Sequence, residues 1–172
     1  MTDIADATSR TRDESLAYFL EAEATLLGDA LMVVGQSVLT SDGDVVDVLA
    51  LDERGDAQVI TVGHGIASAE TIGSVIGQGA WVDELTEREI RSIFASHRPE
   101  ASFEKAFEAA LGIPVPAAIN ARQVLNVVAA GLDDGAERGA RYLAASTGRL
   151  SAFAFQEFVD EDSTYVMTHR LV

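Results

Sequence analysis

Apolar positions recur along the chain with two periods. From Glu14 to Leu27, the residues Leu16, Phe19, Leu20, Leu26 and Leu27 keep a helical spacing. With Asp13 as N-cap and Gly28-Asp29 as the stop, they predict a first helix. The period then shortens to that of strands. Leu31–Leu39 (LMVVGQSVL) is a β-branched run; after the turn Ser41-Asp42-Gly43-Asp44 come the strand Val45–Asp52, the turn Glu53-Arg54-Gly55-Asp56 and the strand Gln58–Val62. Together they predict a three-stranded meander.

After Gly65 helical spacing returns. Ala67–Leu85 carries Ile72, Val75, Ile76 and Trp81 on or near one face, and its Gly73, Gly77 and Gly79 lower helix propensity and point to close helix packing. Thr86 with Glu89 three residues on is a capping-box pattern opening a helix with Ile90, Ile93 and Phe94 as its stripe. Ser102–Leu111 is a short helix with Phe103 and Phe107 four residues apart. GIPVPAAIN is a proline-fixed loop. Then follow the strand Gln123–Ala129, a helix from Asp134 to Ser146, the strand Ser151–Phe158, a turn in DEDS and the strand Thr164–Leu171. The order α-β-β-β-α…β-α-β-β predicts an α/β fold, a mixed sheet with helices packed on its faces. No repeat or linker divides it, so residues 14–172 are expected to be one domain after a flexible tail at 1–13.

Composition adds bounds. A chain of 172 residues with 48% hydrophobic and 23% charged residues is large and apolar enough for a sizeable core. No apolar run approaches the ~20 residues that span a bilayer, and the polar start MTDIADATSRTRDES lacks a signal-peptide stretch, so a cytoplasmic location is expected. The absence of cysteine excludes disulfides, thiolate metal sites and a cysteine nucleophile. With 28 acids against 12 bases the net charge is −16, and Lys105 is the single lysine. Such a field opposes nucleic-acid binding unless arginines cluster, and in sequence they do not. The nearest approach to a basic face, Arg88, Arg91 and Arg98, is interleaved with Glu87 and Glu89 and reads as a solvated helix surface.

Candidate chemistry concentrates in the meander. Strand alternation puts Asp47 on one face with Leu49 and Leu51, and Thr61 with Val59 and Gly63 in the next strand, so Asp47 is expected close to Thr61 and Gly63. An acid in the middle strand of such a meander is the scaffold of a hydrolytic Mg²⁺ site, which needs two carboxylates and usually a lysine. Here the partners are neutral. Asp47 is then expected to accept a hydrogen bond from Thr61 or a backbone amide. A migrated site would draw on Asp44, Asp47, Asp52 and His64, with His64 as ligand to a softer metal or as a base, although strand parity turns Asp44 and Asp52 away from Asp47. Their expected roles are turn and strand-end solvation. His169 alternates with Tyr165, Met167 and Leu171 and is expected in the core, and His97 is placed where a helix C-terminus favours imidazolium. Phe153 and Phe155 share a strand face and are expected in the core. No G-x-S-x-G elbow and no phosphate-binding G-x-x-x-x-G-K-[ST] occurs.

The segments TLLGDAL, GDVVDVLALDERGDAQVITV, SVIGQGAWVDEL, IPVPAAINARQVLNVVA and LSAFAFQEFVDED, together spanning nearly all of the chain from Ser15, resemble the PD-(D/E)XK or restriction endonuclease-like superfamily. The resemblance is to the branch that includes the C-terminal nuclease domain of archaeal and actinobacterial mismatch and branched-DNA endonucleases. It implies a three-layer fold, a mixed central sheet flanked by helices. It also implies where the catalytic set should fall. The family's first aspartate corresponds to Asp47; the glutamate and lysine of its E-x-K correspond to Thr61 and Gly63; a helix-one glutamate corresponds to a position near Ala17, with Glu21 and Glu23 on other faces; the glutamine and tyrosine of its Q-x-x-x-Y correspond to Ser74 and Gln78.

One acid of that set remains. A lone carboxylate holds Mg²⁺ poorly because the ion keeps its waters. The resemblance with this loss implies a nuclease-like domain without catalysis, used as a binding or assembly module toward a protein partner or a second copy, with no cofactor. Two alternatives are a divergent Mg²⁺- or Mn²⁺-dependent DNA endonuclease using Asp47, with His64 as a further ligand, and an acidic mimic of DNA.

Overall fold

In the computed structural model, which describes residues 30–63, 65–160 and 163–172, the meander and the later strands join in one six-stranded sheet. Its strands in chain order are β1 (Met32–Leu39), β2 (Val45–Leu51), β3 (Ala57–Val62), β5 (Gln123–Ala129), β7 (Leu150–Asp160) and β8 (Ser163–Arg170), and they lie in that same spatial order. β1, β2 and β3 are antiparallel, β3, β5 and β7 are parallel, and β8 returns antiparallel on β7. The sheet is mixed, as expected. A second, two-stranded sheet pairs β4 (Ile66–Ala67) with β6 (Gly131–Leu132) in parallel, and neither strand is long enough to leave a periodic trace in the sequence. The expected first helix and the N-terminal tail lie outside the described residues, as does His64.

Four helices are described: α1 (Ala69–Asp83), α2 (Glu87–His97), α3 (Phe103–Leu111) and α4 (Asp134–Thr147). Each starts on a side-chain cap, from Ser68, Thr86, Ser102 and Asp133, whose oxygen accepts one of the backbone N–H groups that the first turn leaves unpaired. The Thr86–Glu89 capping box forms as the sequence predicts, with the Glu89 carboxylate accepting from the Thr86 N–H at 2.8 Å.

The main core joins Leu49, Leu51, Val59 and Val127 of the sheet to Ile72, Val75 and Val82 of α1, Ile90 and Phe94 of α2, Phe103 and Phe107 of α3, and Ala136 and Ala140 of α4. Among the described residues all four helices contribute to this one cluster. A smaller cluster of strand residues, Leu31, Val48, Ala50, Ile60, Val62, Val128 and Phe153, alternates with the first along the same strands and marks the other face of the sheet. Phe153 is buried there as expected. His169 is exposed, against the core position expected for it, on a β8 that among the described residues is an edge strand with no neighbour beyond it. His97 is half-buried in the last turn of α2, the expected place.

The three α1 glycines divide. A Cβ at Gly79 would stand 2.4 Å from Leu125 Cδ2, so α1 approaches β5 closely at this point. At Gly73 and Gly77 a Cβ would meet nothing within 4 Å, so the packing expected of them has no counterpart inside the described chain. The proline loop is anchored by Asn120, whose backbone takes a left-handed φ of 59°. Its Nδ2 donates to the Val82 and Leu85 carbonyls at 2.6 and 2.9 Å, satisfying the C-terminal end of α1.

Candidate functional site

Asp47 and Thr61 lie opposite one another at the end of the β2–β3 ladder. Val48 pairs with Ile60 and Leu49 with Val59, and the same register carried one step further sets Asp47 across from Thr61. The Asp47 carboxylate does not bond to Thr61. Its Oδ2 instead accepts the Val62 backbone N–H at 2.8 Å, so the half-buried acid has the backbone amide partner that the sequence allowed for. Gly63 follows on the Thr61 face, its N–H donating to the Val128 carbonyl at 2.7 Å. A Cβ there would make ordinary contacts, 3.6 Å to Ala129 Cβ and 3.9 Å to the Val128 oxygen.

The Thr61 hydroxyl is turned toward α1, where it donates to Gln78 Oε1 at 2.8 Å. Gln78 is 3% exposed and the centre of the site. Its Nε2 donates to the Val45 carbonyl at 3.0 Å and to Asp44 Oδ2 at 3.3 Å. Those two partners can only accept, which fixes the amide with its NH₂ toward them and its oxygen toward Thr61. Ser74, one turn earlier on α1, donates to the same Asp44 oxygen at 3.1 Å and lies 3.4 Å from Gln78 Nε2. Four positions matched to the family's motifs by spacing, Asp47, Thr61, Ser74 and Gln78, are thus brought to one end of the sheet, and three are joined directly by hydrogen bonds.

Asp44 is an exposed turn residue, as expected, but it also reaches α1, which the sequence did not reveal. Strand parity turned it away from Asp47 and left it to solvent, but it lies before β2 in the turn that Gly43 makes at a φ of 92°, where strand alternation does not apply. The Val45 N–H above all, opposed by desolvation and helped to a lesser degree by Gln78 and Ser74, holds its carboxyl below the usual value. A legible signal existed: an acid next to a left-handed glycine is placed by the turn and not by the strand. Asp52 behaves as expected, its Oδ1 accepting from the Arg54 and Asp56 N–H groups at 2.9 and 3.0 Å and its Oδ2 from Gln58 Nε2 at 3.1 Å. Five residues of strand separate it from Asp47, about 17 Å, so the two acids do not share a site.

Opposite Asp47 stand a neutral hydroxyl already committed to Gln78 and a residue without a side chain, whereas Mg²⁺ asks for several anionic oxygens. Among the described residues no group of three or more His, Cys, Asp or Glu is placed to hold a metal ion.

Neither a protein-family model nor a curated protein matches the chain. Among solved structures it is similar to a repair endonuclease from Pyrococcus abyssi, with a TM-score of 0.47 and 14% identity over 81% of this chain and 45% of that one. It is also similar to EndoMS in a complex with double-stranded DNA, with a TM-score of 0.45 and 15% identity over 80% of this chain and 42% of that one. It spans less than half the length of either. The mixed sheet with helices packed against it, as expected from the sequence, is seen in this chain itself. Among the described residues no helix is long and apolar enough to cross a membrane.

Proposed function

We propose that this chain is a restriction endonuclease-like domain that does not cleave nucleic acid and serves as a binding or assembly module, toward a protein partner and in the cytoplasm, with no metal cofactor. The observation that carries the reading is the pairing of Asp47 with Thr61. At the place where two-carboxylate hydrolysis needs a second anion, Thr61 offers a hydroxyl spent on Gln78, and Gly63 offers nothing where a lysine would steer water. The neutral network of Thr61, Gln78 and Ser74 fills the space with bonds that serve the fold. A net charge of −16 weighs against a polyanionic partner. Exposed Leu39, Val45 and Ile76, with the bare Gly73 and Gly77 of α1, offer apolar surface to a protein.

Calorimetric titration with Mg²⁺ and Mn²⁺, beside incubation with plasmid and branched DNA, tests this. The wild-type protein is expected to show no heat that disappears in Asp47→Ala, and no cleavage. Thr61→Glu with Gly63→Lys, whose new side chain has room to start, is expected to gain divalent-ion binding that depends on Asp47. Cleavage by the wild-type protein that Asp47→Ala abolishes would overturn the proposal in favour of a divergent metal-dependent endonuclease.

A further inference from the structure

The end of the sheet remote from Asp47 gathers arginines. There β3 and β5 begin side by side, Ala57 opposite Gln123, and β7 begins one strand further on. Arg54 lies in the β2–β3 turn, Arg122 immediately before β5 and Arg149 immediately before β7, so three segments distant in sequence each deliver one guanidinium to this end. Arg122, Arg54 and Arg149 all act on the Asp56 carboxylate. None of the three forms an ion pair among the described residues, whereas Arg91 and Arg141 do.

Arg122 is the most firmly held. Its carbonyl accepts the Ala57 N–H at 2.8 Å and its Nη2 donates to the Gly148 carbonyl at 3.0 Å, while its Nε is shut off from water with no hydrogen-bond partner. The Arg149 carbonyl is fixed by the Leu125 N–H at 2.7 Å. Three acids lie beside these arginines, Asp52, Glu53 and Asp56. Both oxygens of Asp52 are engaged by the turn and Gln58, Glu53 is exposed, and Asp56 is a desolvated acid further disfavoured by Asp52. Residues 112–156, which carry Arg122 and Arg149, hold four arginines and three acids, a net charge of +1 in a chain of −16, whereas residues 52–56, which carry Arg54, hold one arginine and three acids.

We propose that Arg54, Arg122 and Arg149 form an oxyanion site for a phosphate group, at the opposite end of the sheet from Asp47 and independent of it. Guanidinium suits this role because its planar fork offers paired N–H donors to two oxygens of one anion and sheds water more readily than an ammonium. Anchoring Arg122 before any ligand arrives removes part of the ordering cost of binding. The phosphate could be carried by a small monoester or by a nucleic-acid backbone, and the two differ in charge and in reach.

Titration of the full chain with inorganic phosphate, against sodium chloride at equal ionic strength, is the test, read by calorimetry and by the rise in melting temperature. A second arm uses a short single-stranded oligonucleotide. Phosphate is expected to bind and stabilise where chloride does not, and Arg54→Gln with Arg149→Gln, two exposed positions that leave the Arg122–Gly148 bond in place, is expected to weaken binding at least tenfold. Arg88→Gln on α2 with Arg98→Gln at its C-cap, both exposed, is expected to leave it unchanged. Tight oligonucleotide binding lost in the same double variant would support the site and assign it a phosphodiester. Equal responses to phosphate and chloride with no oligonucleotide binding, or phosphate binding that survives the Arg54/Arg149 variant, would overturn it.

Discussion

Gln78 stands between Thr61 and Asp44, accepting from the Thr61 hydroxyl at 2.8 Å and donating to the Asp44 carboxylate at 3.3 Å, and so ties the middle of the sheet to the β1–β2 turn through one helix residue. Replacing Gln78 with Leu keeps most of the volume and strands the Val45 carbonyl and the Thr61 hydroxyl. The expected loss is about 1–3 kcal/mol of unfolding free energy, the cost of leaving buried polar groups unpaired, measured by urea denaturation. A Gln78→Leu protein as stable as wild type would show the network to be incidental.

Asp44 and Asp56 are expected to bend the pH dependence of stability in opposite directions. Asp44 is held below its ordinary value of 3.8, so its stabilising bonds are complete above that pH and are lost as pH falls through the lower folded-state value. Asp56 is held above 3.8 by burial and by Asp52, so the folded protein binds its proton more tightly than the unfolded chain does, and stability from this group rises as pH falls toward 3.8. Asp56→Asn is therefore expected to be more stable than wild type at neutral pH, and Asp44→Asn to flatten the acid side of the curve. Unfolding curves at a series of pH values read both.

The glycines of α1 make a paired prediction. Gly79→Ala forces a Cβ against Leu125 and is expected to destabilise. Gly73→Ala and Gly77→Ala enter open space and are each expected to stabilise by about 0.5–1 kcal/mol, because glycine in a helix interior costs that much relative to alanine. Thermal melts of the three single variants decide it.

Asn120 combines a left-handed backbone with two bonds to the end of α1. Asn120→Gly keeps the conformation and loses the bonds; Asn120→Ala loses both. Both are expected to destabilise, by about 1–3 kcal/mol for the Leu85 carbonyl left unpaired, since Val82's still accepts the Leu85 N–H, with Ala roughly 1 kcal/mol worse than Gly. Equal midpoints for the two variants would remove the backbone part of the explanation.

The elements that the sequence made legible are those with a strong period or a cap. β2 and β3 were fixed by alternation, and α2 by the Thr86–Glu89 box. β4 and β6 left no trace because two residues carry no period. Alternation put Asp47 close to Thr61, and the resemblance marked Ser74 and Gln78 as motif positions; the structure brings all four to one end of the sheet. Neither could reveal that Gln78 would collect them, since a hydrogen bond between Thr61 and a residue 17 positions away depends on how α1 crosses the strands. Arginine clustering was illegible for the same reason: Arg54, Arg122 and Arg149 come together only through the parallel pairing of β3, β5 and β7.

That parallel pairing also sets the order in which the molecule assembles. β1, β2 and β3 are linked by turns of a few residues and close early, whereas Ala57 meets Gln123 only after about 66 residues of intervening chain have been looped out, an entropic cost that delays the contact. The docking of β5 beside β3 is therefore the expected slow step in refolding. The hairpin that holds Asp47 is in place before the far end of the molecule exists.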